Sequence, residues 1–289
     1  MRFLASRRGL ARIGVDTPGF YEEAPLMAGI FQAVSMAMAA AALSGGFAVP
    51  ASAAAFRSEY TVSYLGLTIA RSYFESTFDG NRFKVSGSMS SAGIAQIFDD
   101  TKGTVTARGR FAGAGPLPDN FVTNYTSGDK KKKTEIGFAG GNVSKVVNIP
   151  PLKKRGRDWV KVADADLRAV TDPLSGTLIR ADSAEKVCGR TVKMFDGEMR
   201  ANLVLDYVSK GPVSLPGYSG EAVTCRARFV PVAGYKKGHR SIEYLKNRSK
   251  IAISFAPIGT TGVYAPVRAT VGTQIGTITI EARKFEAVN

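Results

Sequence analysis

From Phe56 onward the sequence alternates apolar and polar residues in short runs, each ended by Gly, Asp, Asn or Pro. A repeat of two marks a strand with one buried face, because successive side chains leave a pleated backbone on opposite sides. In residues 56–65, Phe56, Tyr60, Val62 and Tyr64 share one parity with Ser58. The same pattern returns in residues 68–78 and 82–88, joined at Asp79-Gly80, where Gly meets the positive φ that a tight hairpin needs. Further strands are expected at 102–111, 121–127, 131–138 and 142–149, and again from 191 to the end of the chain, about eleven or twelve in all. Pro116 and Pro118 mark a loop. Residues 92–98 read as a short helix. The clearest helical window is 164–180, where Asp172 is placed to cap and Pro173 to occupy the first helical position. No low-complexity linker divides the chain, so one antiparallel barrel or sandwich with two or three short helices is the natural solution.

Residues 26–47 carry no charge and are rich in Ala and Met, and Ala51-Ser52-Ala53 follows as a small-x-small triplet. This is the apolar core and processing site of a secretory signal. We therefore expect residues 1–53 to be a signal peptide cleaved after Ala53, export to the periplasm, and a single domain over residues 54–289. Arg2, Arg7, Arg8 and Arg12 lie far upstream of the apolar core, with Asp16, Glu22 and Glu23 between. Either the signal is long or translation starts at Met27. A membrane anchor is the alternative, since the run is long enough to span, but its Ala and Gly make it weakly hydrophobic. No Cys follows the cleavage site, which argues against a lipoprotein.

The net charge is +15, and removing the prefix with its four arginines and three acids leaves it near +14. The basic character therefore belongs to the folded part. It is concentrated in three runs: Lys130, Lys131, Lys132 and Lys133; Lys153, Lys154, Arg155 and Arg157; and Lys236, Lys237 and Arg240. Solvated loops and protected sheet edges are one reading of such runs. The functional reading is an anionic partner, a lipid headgroup or an envelope polymer. Export removes nucleic acid from the candidates. Cys188 and Cys225 are the two cysteines, and an even count in an oxidising compartment suggests a disulfide. A redox or metal pair is the alternative, without a CxxC spacing or a further Cys to support it.

Signals for catalysis are weak. His239 is the sole histidine and lies among basic residues. No GxSxG elbow, P-loop or HExxH occurs. Asp99-Asp100 reads as a turn or cap, and Asp164 and Asp166 as charges favoured at a helix start. No cofactor or metal is expected. An interior rich in Gly, Ala and Thr leaves two options open, a cavity for an acyl chain or a packed core.

Six stretches, in order, carry a family likeness: residues 60–76, 91–111, 172–180 (DPLSGTLIR), 188–205 (CGRTVKMFDGEMRANLVL), 225–235 and 263–285. The exported part resembles the domain-of-unknown-function family 3108, a set of exported bacterial proteins. The resemblance implies a periplasmic spiral or open β-barrel of the kind seen in envelope-integrity proteins and lipoprotein carriers, and it brings no catalytic residues. The expected function is a non-catalytic periplasmic protein that supports envelope integrity by binding a lipid, an envelope polymer or an envelope protein. A hydrolase or transferase acting on cell-wall or lipid substrates is the alternative.

Overall fold

The computed structural model describes residues 54–93, 95–98, 100–113 and 115–288. The expected signal segment and its cleavage site lie outside them, as does Asp99. The alternating runs become strands. The first seven are β1 (Ala54–Tyr64), β2 (Leu67–Asp79), β3 (Arg82–Ser91), β4 (Thr101–Ala112), β5 (Gly115–Ser127), β6 (Lys130–Ala139) and β7 (Asn142–Ile149). They form one antiparallel meander, each paired with the next. A short helix, α1 (Ala95–Phe98), sits where one is expected. The long connection after β7 contains β8 (Trp159–Val160) and β9 (Ile179–Arg180). The chain then resumes with β10 (Arg190–Phe195), β11 (Arg200–Leu215), β12 (Tyr218–Ala233), β13 (Tyr235–Lys236), helix α2 (Arg240–Asn247), β14 (Ile251–Pro257), β15 (Val263–Thr273) and β16 (Gly276–Val288). Because β16 pairs with β1, the two halves join into one sheet in the order β10-β11-β12-β14-β15-β16-β1-β2-β3-β4-β5-β6-β7. Its edges, β7 and β10, do not pair with each other, so the fold is mainly β and the barrel is open.

The buried parity fixes which face turns inward. Phe56, Tyr60, Phe74, Phe78, Phe83, Phe111, Phe121 and Phe285 all lie in the larger core cluster. Rings meet edge-on at Phe56–Phe285 (5.1 Å) and Tyr60–Phe74 (6.0 Å), a geometry that aligns the ring quadrupoles favourably. Gly87 is required under Phe74, because a Cβ there would lie 1.9 Å from the ring. In β12 and β14, neighbouring residues belong to different clusters: Ala222 and Ala256 face the main core, Val223 and Phe255 a second one. That part of the sheet is therefore covered on both faces. The second cover includes Leu245 of α2 and the chain around Cys188. Cys188 and Cys225 form a disulfide (S–S 2.00 Å, Cα–Cα 5.7 Å) between this connection and the middle of β12.

The open side is sealed by a strap rather than a strand pair. Residues 170–179 are all buried. The Val170 amide donates to the Gly141 carbonyl (3.0 Å) and the Ala169 amide to Asn142 Oδ1 (3.1 Å), which ties the strap to the β6–β7 turn. On its other side the Thr171 amide donates to the Lys193 carbonyl and the Phe195 amide to the Thr171 carbonyl, both at 2.9 Å, on β10. Leu174 and Leu178 then drop into the core, fully buried.

This strap corrects the helix expected at 164–180. Only two short 3-10 turns form, Asp164–Leu167 and Ser175–Thr177. Val170, Leu174 and Leu178 mimic a helical repeat, but a continuous helix would have spent on itself the backbone groups that here bind both sheet edges. Asp172 does cap: its Oδ1 accepts from the Leu174 and Ser175 amides (2.9 and 2.8 Å). The longer helix of the described residues is α2, which starts in the third basic run. No helix there is long and apolar enough to cross a membrane. Pro116 and Pro118 lie within β5, not in a loop. Pro118 faces a bulge at Arg108/Gly109, one of the places in a sheet that admit proline.

Candidate functional site

Strand register places the first basic run. On the polar face, Glu281, Thr61, Arg71, Ser90, Lys102 and Thr126 are successive cross-strand partners from β16 to β5, and the row ends on Lys131. The neighbouring row runs Glu59, Tyr73, Ser88, Thr104, Asn124 and ends on Lys133 and Ile149. The sheet bends so that these two rows wall a trough of about 1200 Å³. Tyr60, Ser72, Met89 and Gly103, from the row between, contribute its floor. None of the four lysines lines it: Lys131 and Lys133 lie one strand beyond the lining, and Lys130 and Lys132 have the opposite parity. Lys133 is 3.0 Å from Glu135, which Lys145 also approaches at 3.3 Å. These two lysines hold the Glu135 carboxyl below its ordinary pKa.

The second and third basic runs are brought together. β8 pairs with β13, setting Trp159 opposite Lys236 and Val160 opposite Tyr235. The Lys237 amide donates to the Asp158 carbonyl (2.7 Å), and Lys236 Nζ lies 3.2 Å from Asp158 Oδ2. Arg155 stacks over the Trp159 ring at 4.2 Å and pairs with Glu198. Gly234 makes this junction possible. At φ +79° it approaches Glu198 so closely that a Cβ would lie 1.8 Å from the carbonyl oxygen. The two acids of the platform, Asp158 and Glu198, are each engaged by a cation. Lys153, Lys154, Arg157, Lys237 and Arg240 have no ion-pair partner among the described residues. Beside them Ile149 (54%) and Leu152 (45%) are exposed. Ile149 is the cross-strand partner of Lys133, at the end of the first basic run.

The remaining candidates lie apart from these surfaces, and Asp100 and Asp166 make local contacts. Asp100 pairs with Lys102 (2.8 Å). Asp166 Oδ2 accepts the Ala163 amide (2.9 Å). His239 sits at the position before α2, where its carbonyl accepts the Glu243 amide (2.9 Å), while its Nδ1 is buried without a hydrogen-bond partner among the described residues. Among the described residues no group of three or more His, Cys, Asp and Glu could hold a metal. Sequence reasoning missed Arg200, which is buried. Its Nε donates to the Asp166 carbonyl (3.0 Å) and its Nη1 to Asn202 Oδ1 (2.7 Å), and burial lowers the pKa of its guanidinium. It anchors the start of the strap.

On the inner face Tyr60, Phe74, Phe121 and Phe285 are all less than 2% exposed and belong to the larger core cluster. Fold and surface thus define an open, disulfide-bonded β-barrel with a packed interior and a polar, basic exterior. The chain belongs to the family described as "Protein of unknown function (DUF3108)", whose model matches residues 59–283. No curated protein matches it. Among solved structures it is similar to a beta-barrel-like protein of domain of unknown function DUF1849 from Brucella abortus. That likeness is at 9% identity and a TM-score of 0.44, covering 82% of this chain and 98% of the other.

Proposed function

We propose that this chain is an exported, non-catalytic envelope protein that docks on an anionic bilayer surface through the β8–β13 platform and so supports envelope integrity. The observation that carries this reading is the joining of two basic runs with Trp159 on one hydrogen-bonded base, preceded in the chain by the exposed Ile149 and Leu152. A cation near an anionic leaflet is worth about 1 kcal/mol. Isolated exposed aliphatic residues among such cations can enter the interface while the lysine heads stay in water. The uncharged segment at 26–47 and the disulfide are what support export.

Trp159 is the single tryptophan, so fluorescence reports on the platform alone. Adding vesicles of phosphatidylcholine with phosphatidylglycerol to residues 54–289 is expected to shift the emission to the blue. Salt should reverse the shift, and pure phosphatidylcholine should not cause it. Lys153→Glu with Lys154→Glu should abolish it. An unchanged spectrum together with no co-flotation on anionic vesicles would sink the reading.

A further inference from the structure

We propose that the trough on the polar face is a second binding site, for an extended acidic glycan lying across the strands. This goes beyond the bilayer reading and does not depend on it.

Position narrows the ligand first. The trough crosses β16 and β1 to β5, in the middle of the sheet, where the backbone is already paired on both sides of each strand from β1 to β5. A peptide added as a strand needs an open edge, and the edges here are β7 and β10. Recognition in the trough must come from side chains. Six strands about 4.8 Å apart give a path of roughly 24 Å, which suits an elongated ligand better than a compact one.

The side chains then set the chemistry. Thr61, Ser88, Ser90 and Thr126 point hydroxyls into the trough and have no side-chain partner among the described residues. A hydroxyl both donates and accepts, and so do the hydroxyls of a sugar, so the two match without a fixed polarity. Arg71 stands at the centre of its row, exposed and without an ion-pair partner among the described residues. A guanidinium in that setting presents a fork that fits a carboxylate. The other charged groups of the lining are Glu59, Glu281, Lys102 and Arg283. Glu281 is approached by Arg268 and Arg283 (3.9 and 3.8 Å) and Lys102 by Asp100 (2.8 Å), which leaves Arg71 as the cation open to a carboxylate and Glu59 as an acceptor for sugar hydroxyls. An acyl chain would desolvate these polar groups without replacing their hydrogen bonds.

The test is calorimetric titration of residues 54–289 with oligogalacturonide long enough to cross six strands. The comparisons are galacturonate monomer, a neutral glucan oligomer and inorganic polyphosphate. The oligogalacturonide is expected to bind far better than any of the three. Arg71→Glu and, separately, Ser90→Trp should each weaken it by about tenfold or more, the loss expected when one charge-assisted contact or its space is removed. Both positions are on the surface, so the thermal midpoint should hold. Lys153→Glu with Lys154→Glu should leave glycan binding intact, which separates failure of this site from failure of the platform. The proposal is overturned if oligomer and monomer bind alike, or if polyphosphate binds as well as the glycan. Loss of glycan binding in the platform variant but not in Arg71→Glu would also overturn it.

Discussion

Replacing Cys188 or Cys225 by Ser is expected to lower the unfolding free energy by about 2–5 kcal/mol, the range typical for a native bridge in a chain of this kind. The residues lie 37 apart in sequence, and closing a loop of that length removes unfolded-state entropy worth roughly 4 kcal/mol. The bridge matters beyond its loop because of where it sits. Cys188 follows a 3-10 turn, Ala184–Lys186, in the connection from the strap to β10, and Cys225 is fully buried in β12. Without the link, that connection is held to the sheet by Val187 packing and by the Gly189 amide on the Leu205 carbonyl (2.7 Å). Urea unfolding of wild type, each variant and reduced wild type measures the effect. Reduced wild type should lose nearly as much as the variants, which separates the cross-link from the cost of a buried Ser hydroxyl. Two free thiols titrated in the native, unreduced protein would refute the pairing.

Much of the fold was legible because parity is local. β7 spans Asn142–Ile149, the run read from the sequence, and α1 lies within its expected window. The trough was harder for a definable reason. Alternation shows that Arg71 and Ser90 share the polar parity of their strands, and the hairpin at Gly80-Asn81 pairs Asp79 with Arg82, which brings Arg71 opposite Ser90. That much could be counted from the turn. The next rows could not, because bulges at Val62/Ser63 and Glu59/Tyr60 shift the register of β1 against β2 and β16, and no local pattern announces them. The platform depends on β8 and β13, two residues each and 75 positions apart between Val160 and Tyr235, too short for any periodicity to show. The helix α2 was hidden because its opening is the charged run Lys236-Lys237-Gly238-His239-Arg240, while Ile242 and Leu245, spaced by three, carry its buried face. The strap imitates a helix in sequence for the reverse reason: apolar spacing is present, but both neighbours are sheet edges.

Asp172 makes the strap sensitive to pH, with a sign that can be worked out. The carboxyl is fully buried, and burial raises its pKa from 3.8 to about 6, against the opposing pull of the Ser175 side chain and the Ser175 and Leu174 amides. Oδ2 has no hydrogen bond of ordinary geometry among the described residues. With the folded pKa above the unfolded one, the folded state holds the proton more tightly. The stability this contributes is complete below the unfolded value and is lost as pH rises through about 6. Two units or so correspond to about 3 kcal/mol. Asn at this position keeps an Oδ1 for the two amides and cannot ionise. Asp172→Asn should therefore gain on wild type by about 2.5 kcal/mol between pH 4 and pH 7.5, measured as the difference between their urea unfolding curves at each pH, in which every other carboxylate cancels. Asp172→Ala should instead be less stable than Asn across the range, having lost the acceptor for both amides. Hydrogen exchange at Leu174 and Ser175 should slow in the Asn variant at neutral pH, because the same ionisation loosens the turn that closes the barrel. A difference between Asn and wild type that stays flat with pH, or grows on acidification, would mean that the carboxyl is hydrated in solution and the strap is not sealed as the hydrogen bonds at Gly141, Lys193 and Phe195 imply.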